Sequence, residues 1–120
     1  MKVLVQRSDK ASVIVDNEVI GSIDSGLVLL VGFCEEDNIE KIKYMVNKII
    51  NLRIFPDSNG VMNKSILDFG GSILSVSQFT LYADTTKGNR PSYIKALKGD
   101  DAINLYDQFN LELRDRKSVV

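Results

Sequence analysis

The stretch that most limits the fold of this chain is Gly26–Phe33, GLVLLVGF, in which nearly every residue is apolar. It is far shorter than the roughly 20 residues that a membrane-spanning helix needs, and Val and Leu dominate it. A strand that lacks polar residues at every second position has both faces covered by other parts of the protein. The sequence therefore predicts a central strand in a sheet, with other elements packed on both sides.

Three shorter stretches before this strand also have the composition of strands. The first is Lys2–Arg7. The other two, Ala11–Val15 and Glu18–Ile23, flank Asp16 and Asn17, a residue pair typical of tight turns. We expect these two strands to pair as a hairpin.

After residue 34 the spacing of apolar residues changes from that of a strand to that of a helix. The apolar positions are Ile39, Ile42, Met45, Val46, Ile49 and Ile50. They form a single stripe on a helix, which we predict over Asn38–Asn51. Asp37 is expected to cap this helix, with Glu40 completing a capping box.

The rest of the chain alternates between strand, loop and helix patterns. The predicted segments are a strand Leu52–Phe55, a turn Pro56–Gly60, a long strand Gly71–Tyr82, a loop Ala83–Tyr93, a helix Asp100–Arg114 and the start of a strand at Lys117–Val120. The second helix would present Ala102, Ile103, Tyr106, Phe109 and Leu113 on one side. This order predicts an α+β fold, with two helices packed on a mostly antiparallel or mixed sheet, in a single domain over residues 1–120.

The chain contains no histidine and a single cysteine, Cys34. These counts exclude Ser-His-Asp and Cys-His catalysis and any metal site rich in His or Cys, so neither a metal nor another cofactor is expected. Cys34 is interpreted as a structural thiol. The net charge is −1, so any contact with RNA would be local. With no signal peptide and no disulfide pair, we expect a cytoplasmic protein that does not bind DNA or a membrane.

Polar residues interrupt the long predicted strand at VSQFTLY, Val76–Tyr82. In a regular strand Gln78 and Thr80 share one face, and Ser77 lies on the opposite face. Gln78 and Thr80 could therefore converge on one ligand. Two interpretations stay open: a solvent-facing strand with polar residues in register, or the wall of a pocket.

Three basic residues outside this strand are also candidates for binding. Lys87 and Arg90 flank a flexible Gly-Asn pair in the loop and could hold a phosphate or a ribose, although a solvated loop has the same composition. Arg7 closes the first strand beside Gln6. It is either an exposed edge residue or an arginine anchored against carbonyl groups or a partner chain.

Five motifs follow one another between Met1 and about Arg114, namely VLVQR, LVLLVGF, KIINLRIFPDSNGVMNKS, SILSVSQFTLYADTTKGNRPSY and LYDQFNLELR. In this order they resemble the D-aminoacyl-tRNA deacylases, the D-tyrosyl-tRNA deacylase family. The resemblance implies a cytosolic homodimer that hydrolyses the ester between a D-amino acid and the terminal ribose of tRNA. It also implies removal of glycine mischarged on tRNA, as quality control in translation.

The resemblance also implies roles for individual residues. It makes SQFTL an active-site motif, with Thr80, Gln78 and Ser77 as catalytic residues and with Phe79 and Leu81 in the substrate-binding wall. Gln6 and Arg7 would bind substrate near the pocket and the dimer contact, and Lys87 and Arg90 would contact tRNA. Without a base nearby a threonine hydroxyl is a weak nucleophile, so we expect Thr80 and Gln78 to act by hydrogen bonding and positioning. In the family the ribose 2′-hydroxyl takes part in the reaction.

One family motif has no counterpart in this sequence. Relatives carry a Gly-Pro pair in an NxGPxT setting near the C-terminus, and its cis peptide enters the partner's pocket and rejects L-amino acids. The only prolines here are Pro56 and Pro91, and neither follows a glycine. We therefore expect either a shortened piece of a longer protein or a C-terminally truncated relative. The alternative function is a catalytically defective module of the same fold that binds tRNA or a protein.

Overall fold

A mixed sheet, two hairpins and three α-helices make up residues 1–116, the part of the chain that the computed structural model describes. The strands are β1 (Lys2–Ser8), β2 (Ala11–Val15), β3 (Glu18–Ile23), β4 (Gly26–Gly32), β5 (Phe55–Pro56), β6 (Met62–Lys64) and β7 (Ser72–Ser77). The α-helices are α1 (Ile39–Asn51), α2 (Ile66–Phe69) and α3 (Gly99–Arg116), and a 3-10 helix covers Phe79–Tyr82. The predicted α+β class with a mixed sheet is confirmed.

The apolar run forms β4, the central strand of a three-stranded sheet in the order β1-β4-β7. β1 pairs with β4 antiparallel, and β7 pairs with β4 parallel. On one face Leu27, Leu29 and Val31 are completely buried beneath the helices. On the opposite face Leu30 is only half-buried and Leu4 is 53% exposed. The central position of β4 is therefore confirmed, but the helices cover only one face of the sheet.

The first hairpin forms at the predicted residues. β2 and β3 pair antiparallel around Asp16 and Asn17, whose φ angles are 50° and 65°. Positive φ at both central positions is the geometry of a type I′ turn, whose twist matches that of the flanking strands.

The core lies between the sheet and helices α1 and α3. α1 buries the predicted stripe through Ile42, Val46, Ile49 and Ile50, and α3 buries Phe109 and Leu113. The predicted cap was wrong, because Asn38 caps α1 by accepting a hydrogen bond from the backbone N–H of Lys41. The Asp37 carboxylate instead accepts from the N-terminal ammonium group at 2.6 Å and from the Cys34 N–H at 2.8 Å.

Two short elements differ from the sequence prediction. Only Phe55 of the predicted strand Leu52–Phe55 is in a strand, namely β5, which pairs with β6. In the turn between β5 and β6 the Asp57 carboxylate accepts hydrogen bonds from the backbone N–H groups of Asn59 and Val61. α2 was not predicted, because four residues are too few to show a helical period. A capping box between Ser65 and Asp68 stabilises this single turn.

The last helix begins one residue before the predicted start and runs two residues beyond the predicted end. Its predicted apolar side is only partly correct, because Ile103 is 57% exposed whereas Asn110 is buried. The strand predicted to start at Lys117–Val120 lies outside the described residues. No helix within residues 1–116 is both long and apolar enough to cross a membrane.

Candidate active site at the end of strand β7

The chain leaves the sheet directly after Ser77. The backbone N–H of Gln78 donates to the Val31 carbonyl oxygen at 2.7 Å, and the next four residues turn into the 3-10 helix. The prediction of one strand through Tyr82 was therefore wrong. The reason lies in the neighbouring strand, because β4 ends at Gly32 and offers no further partner, and a Cβ on Gly32 would lie 2.9 Å from the Gln78 carbonyl oxygen. The absence of a side chain at Gly32 lets the turn pack against the sheet.

The turn brings the side chains of Gln78 and Thr80 together. The Gln78 amide nitrogen donates a hydrogen bond to the Thr80 hydroxyl oxygen. Both residues are half-buried, whereas Ser77 and Phe79 on either side of Gln78 are exposed. The two side chains meet through the geometry of the turn and not through the alternation of a strand.

Two backbone donors in this turn have no acceptor among the described residues. The first N–H groups of any helix lack an intrahelical partner. Leu81 donates to the Gln78 carbonyl at 3.4 Å and Ala83 donates to the Thr80 carbonyl at 3.0 Å, but the N–H groups of Phe79 and Thr80 bond to no other group within residues 1–116. Two adjacent free N–H groups can bind an oxygen atom that carries negative charge.

An apolar cavity of about 430 Å³ adjoins the turn. Its lining consists of Val31, Gly32, Phe33, Ser77, Phe79, Leu97, Lys98, Gly99, Ala102, Ile103 and Tyr106. The cavity thus lies between the end of the sheet and the first turns of α3. Its volume is in the range of small-molecule sites, which is about 300–1,000 Å³.

Two tyrosines, Tyr106 and Tyr82, lie in this region, and the hydroxyl of Tyr106 joins two elements. The Tyr106 hydroxyl donates to the Ser75 carbonyl oxygen at 2.9 Å and lies 3.3 Å from Ser75 Oγ, which ties α3 to β7. Burial raises the pKa of Tyr82 well above its ordinary value of 10.0, and the neighbouring Cys34 thiol raises it further. Tyr82 is therefore a neutral phenol at physiological pH and does not act as a base there.

An aromatic and cationic cluster forms the rim of the cavity. The rings of Phe79 and Tyr93 meet edge to face with their centroids 5.2 Å apart. Lys98 Nζ lies 5.4 Å from the Phe79 centroid and 5.9 Å from the Tyr93 centroid. The rim therefore combines two ring surfaces with one positive charge.

The other residues predicted for the site lie at varying distances from the turn. Leu81 is part of it, and its carbonyl oxygen accepts a hydrogen bond from Lys2 Nζ at 3.3 Å. Lys2 pairs with Gly32, whereas Gln6 and Arg7 pair with Val28 and Leu27, at least four residues farther along β4. That separation is roughly 13 Å or more at the rise of a strand.

Gln6 and Arg7 are therefore not brought to the turn within one chain. Arg7 instead donates to the Ile54 carbonyl oxygen at 3.0 Å and lines a separate cavity beside Phe55 and Phe69. Gln6 is exposed on the sheet face that the helices leave open, together with Leu4.

Lys87 and Arg90 lie on an exposed loop outside the cavity. Mutual backbone hydrogen bonds between Asp84 and Ser92, both 2.8 Å, close the base of this loop. Hydrogen bonds from Thr86, followed by the charge of Lys95, lower the pKa of Asp84 below its ordinary value of 3.8. Because Tyr93 follows the loop directly and contacts Phe79, the loop is joined to the rim of the cavity.

The sequence interpretation missed several residues of the site. Ala102, Ile103 and Tyr106 had been assigned to the buried side of the second helix, and the structure places them along the cavity. The sequence interpretation assigned no role to Tyr93 and Lys98. They lie in the segment before α3 and contact Phe79 only in the folded chain. One signal was available: the turn required a glycine at the end of β4, and the sequence has Gly32 there.

Three similarities relate this chain to known proteins. The sequence model of the family described as D-Tyr-tRNA(Tyr) deacylase matches residues 4–120. A solved structure named c-Myc DNA Unwinding Element Binding Protein is similar with a TM-score of 0.91 and 41% identity, over 98% of this chain and 78% of that one. A structure described as a "probable eukaryotic D-amino acid tRNA deacylase" has the same fold with a TM-score of 0.79 and 21% identity, over 94% of this chain and 66% of that one.

Proposed function

The chain belongs to the D-Tyr-tRNA(Tyr) deacylase family, and from this premise we propose that it hydrolyses the ester bond between a D-amino acid and the terminal ribose of tRNA. The products are the free amino acid and tRNA. Glycine mischarged on tRNA is a second proposed substrate. The main structural support is the turn after β7, where the N–H groups of Phe79 and Thr80 bond to no other group within residues 1–116 and Phe79 lines a cavity of about 430 Å³, large enough for a nucleoside.

The proposed reaction uses these two N–H groups as an oxyanion hole. Water adds to the ester carbonyl carbon, and the carbonyl oxygen takes the negative charge that the N–H groups of Phe79 and Thr80 stabilise. The bond from this carbon to the ribose oxygen then breaks, and the ribose oxygen takes the proton that the attacking water gives up. A donor fixed in this way can supply about 2.7–4 kcal/mol. An aminoacyl ester is already activated, so a site without histidine is sufficient, and the neighbouring ribose 2′-hydroxyl is proposed to assist.

Thr80 and Gln78 position groups in this scheme and form no covalent intermediate. The Gln78 amide donates to the Thr80 hydroxyl oxygen, which leaves the hydroxyl proton of Thr80 available for the substrate. The chain contains no histidine, and among residues 1–116 the Thr80 hydroxyl bonds only to Gln78, so no described base would activate it as a nucleophile. Ser77 lines the cavity, and Leu81, in the same turn, is proposed to complete the wall of the site.

We place the contacts with a second copy and with tRNA on two different surfaces. Leu4, Leu30 and Val76 lie on the sheet face that the helices leave open, and Gln6 lies beside Leu4. This face is the proposed homodimer contact, through which Gln6 and Arg7 come near the pocket of the partner subunit. Lys87 and Arg90, exposed on the loop, are proposed to contact the tRNA backbone in a cytoplasmic enzyme.

A second candidate function is binding to nucleic acid without hydrolysis. It is favoured by the name of the relative at 41% identity, which describes a protein that binds a DNA element. Parallel incubation with D-Tyr-tRNA and L-Tyr-tRNA separates the two functions. Faster release of D-tyrosine than of L-tyrosine supports the deacylase, and equal release indicates a working site without chiral selection. Binding of tRNA or DNA by a folded protein that releases neither amino acid would replace the deacylase proposal.

A further inference from the structure

Among residues 1–116, Lys98 is the only charged residue in the lining of the cavity beside the turn. The other lining residues are apolar or small, apart from the hydroxyl groups of Ser77 and Tyr106. Lys98 is exposed and immediately precedes α3, so its charge lies at the mouth of the cavity and not inside it. A single cation at the mouth of an apolar cavity suits a ligand with one neutral part and one anionic part.

The aromatic rings of the rim hold the Lys98 ammonium group in place. Lys98 Nζ lies within 6 Å of the centroids of both Phe79 and Tyr93, and those two rings contact each other edge to face. Distances up to about 6 Å are typical of cation–π contacts. Contact with two rings restricts the flexible Lys98 side chain before any ligand binds. Less conformational entropy is therefore lost when the Lys98 ammonium group binds an anion.

No carboxylate compensates this charge among residues 1–116. The ion pairs there join the N-terminal ammonium group to Asp37 and Lys95 to Asp84, and Lys98 is in neither. Lys95, three residues earlier, thus has an acidic partner at 3.6 Å. Lys98 remains free to pair with an anion brought by a ligand.

We propose that Lys98 binds the 5′-phosphate of the terminal nucleotide of tRNA while the nucleoside of that nucleotide occupies the cavity. The proposal rests on the proposed function and adds a specific contact to it. The cavity accepts the neutral base and ribose. The 5′-phosphate, which joins the terminal nucleotide to the preceding one, lies outside the cavity at its rim. Lys87 and Arg90 do not line the cavity, so they would contact the tRNA at other phosphates.

Two small probes isolate this contact, namely adenosine and adenosine 5′-monophosphate, which differ by the 5′-phosphate alone. Their binding is measured by titration calorimetry with the wild-type protein and the variants K98A, K98R and K43A. Lys43 is an exposed lysine on α1 that lines none of the cavities near the turn, so K43A controls for net charge. We expect wild type to bind the monophosphate about three- to fivefold more tightly than adenosine, the size of an exposed ion pair.

The variants should separate the phosphate contact from the cavity itself. K98A should bind both probes equally, with an affinity for adenosine close to that of wild type, whereas K98R and K43A should keep the preference for the monophosphate. Failure of wild type to bind either probe, equal binding of both probes by wild type, or an unchanged preference in K98A would each overturn the proposal.

A parallel hydrolysis assay with D-Tyr-tRNA keeps this outcome distinct from that of the proposed function. Preference for the monophosphate that depends on Lys98, in a protein that releases no amino acid, supports the Lys98 contact and contradicts the deacylase. Hydrolysis by wild type with no effect of K98A on nucleotide preference contradicts the Lys98 contact alone. In an active enzyme, K98A should raise KM, leave kcat unchanged and reduce the salt dependence of log KM by about 0.7, the contribution of one phosphate contact on a single strand.

Discussion

A pair of substitutions at Phe79 tests the proposed oxyanion hole, because they remove the same ring and differ in one N–H group. Phe79 is the first residue of the 3-10 helix, and the preceding Gln78 is extended with φ −147° and ψ 92°. Proline is tolerated at the first position of a helix, where the N–H has no intrahelical partner. F79P therefore removes a donor that bonds to no described group, and F79A keeps that donor.

The expected loss follows from the value of one oxyanion donor. F79A loses the edge contact with Tyr93 and should mainly raise KM, since the ring lies on the rim of the cavity. F79P should have a kcat about 100- to 1,000-fold below that of F79A, because removal of one donor costs about 2.7–4 kcal/mol. The assay is single-turnover hydrolysis of D-Tyr-tRNA at saturating enzyme.

Thermal unfolding serves as the control for this comparison. F79P and F79A should unfold at similar temperatures, since neither breaks a hydrogen bond within the described chain. Equal kcat values for two folded variants would refute the role of the Phe79 N–H group.

Three other substitutions test separate parts of the structure. G32A places a Cβ 2.9 Å from the Gln78 carbonyl oxygen, so it should cost about 1–3 kcal/mol of unfolding free energy and lower kcat, and normal activity would contradict the packing of the turn on β4. L29A creates a cavity at a completely buried position and should cost about 2–5 kcal/mol in urea unfolding, whereas a loss under 1 kcal/mol would contradict its place in the core. Because the pKa of Tyr82 is raised in the folded protein, its phenol contributes fully to stability below pH 10, the ordinary tyrosine value. Above pH 10 the unfolded chain loses this proton first, so the contribution declines, and Y82F should lose less stability than wild type between pH 9 and pH 11. Parallel stability curves for Y82F and wild type over that range would contradict this origin.

The main elements of the fold could be predicted because each has a strong local pattern. The apolar run of β4, the helical stripe of α1 and the Asp16-Asn17 turn each depend on residues close in sequence. The N-terminal cap of α1 could not be predicted, because Asp37 and Asn38 are both good capping residues. Asp37 is instead used by the N-terminal ammonium group, a contact between residues far apart in the chain.

The candidate site was predictable in composition but not in geometry. The SQFTL motif indicated which residues belong to the site. The assumption of a regular strand predicted the wrong backbone conformation for them, because the strand ends at Ser77. The change at Gln78 depends on the end of the neighbouring strand at Gly32, which the local pattern of Ser77–Tyr82 does not contain. The cavity depends on the contact between this turn, the Tyr93–Lys98 segment and α3, so its lining could not be derived from any one segment.

Nuclear magnetic resonance with a stable substrate analogue tests the central claim most directly. The analogue is D-tyrosine joined by an amide bond to 3′-amino-3′-deoxyadenosine, and its L-tyrosine counterpart is the control. If the turn after β7 binds the reacting carbonyl group, the amide proton signals of Phe79 and Thr80 will shift downfield with the D-analogue, and signals from Ala102 and Ile103 will shift with them. Binding of the D-analogue that leaves the Phe79 and Thr80 amide signals unchanged would contradict the proposed site.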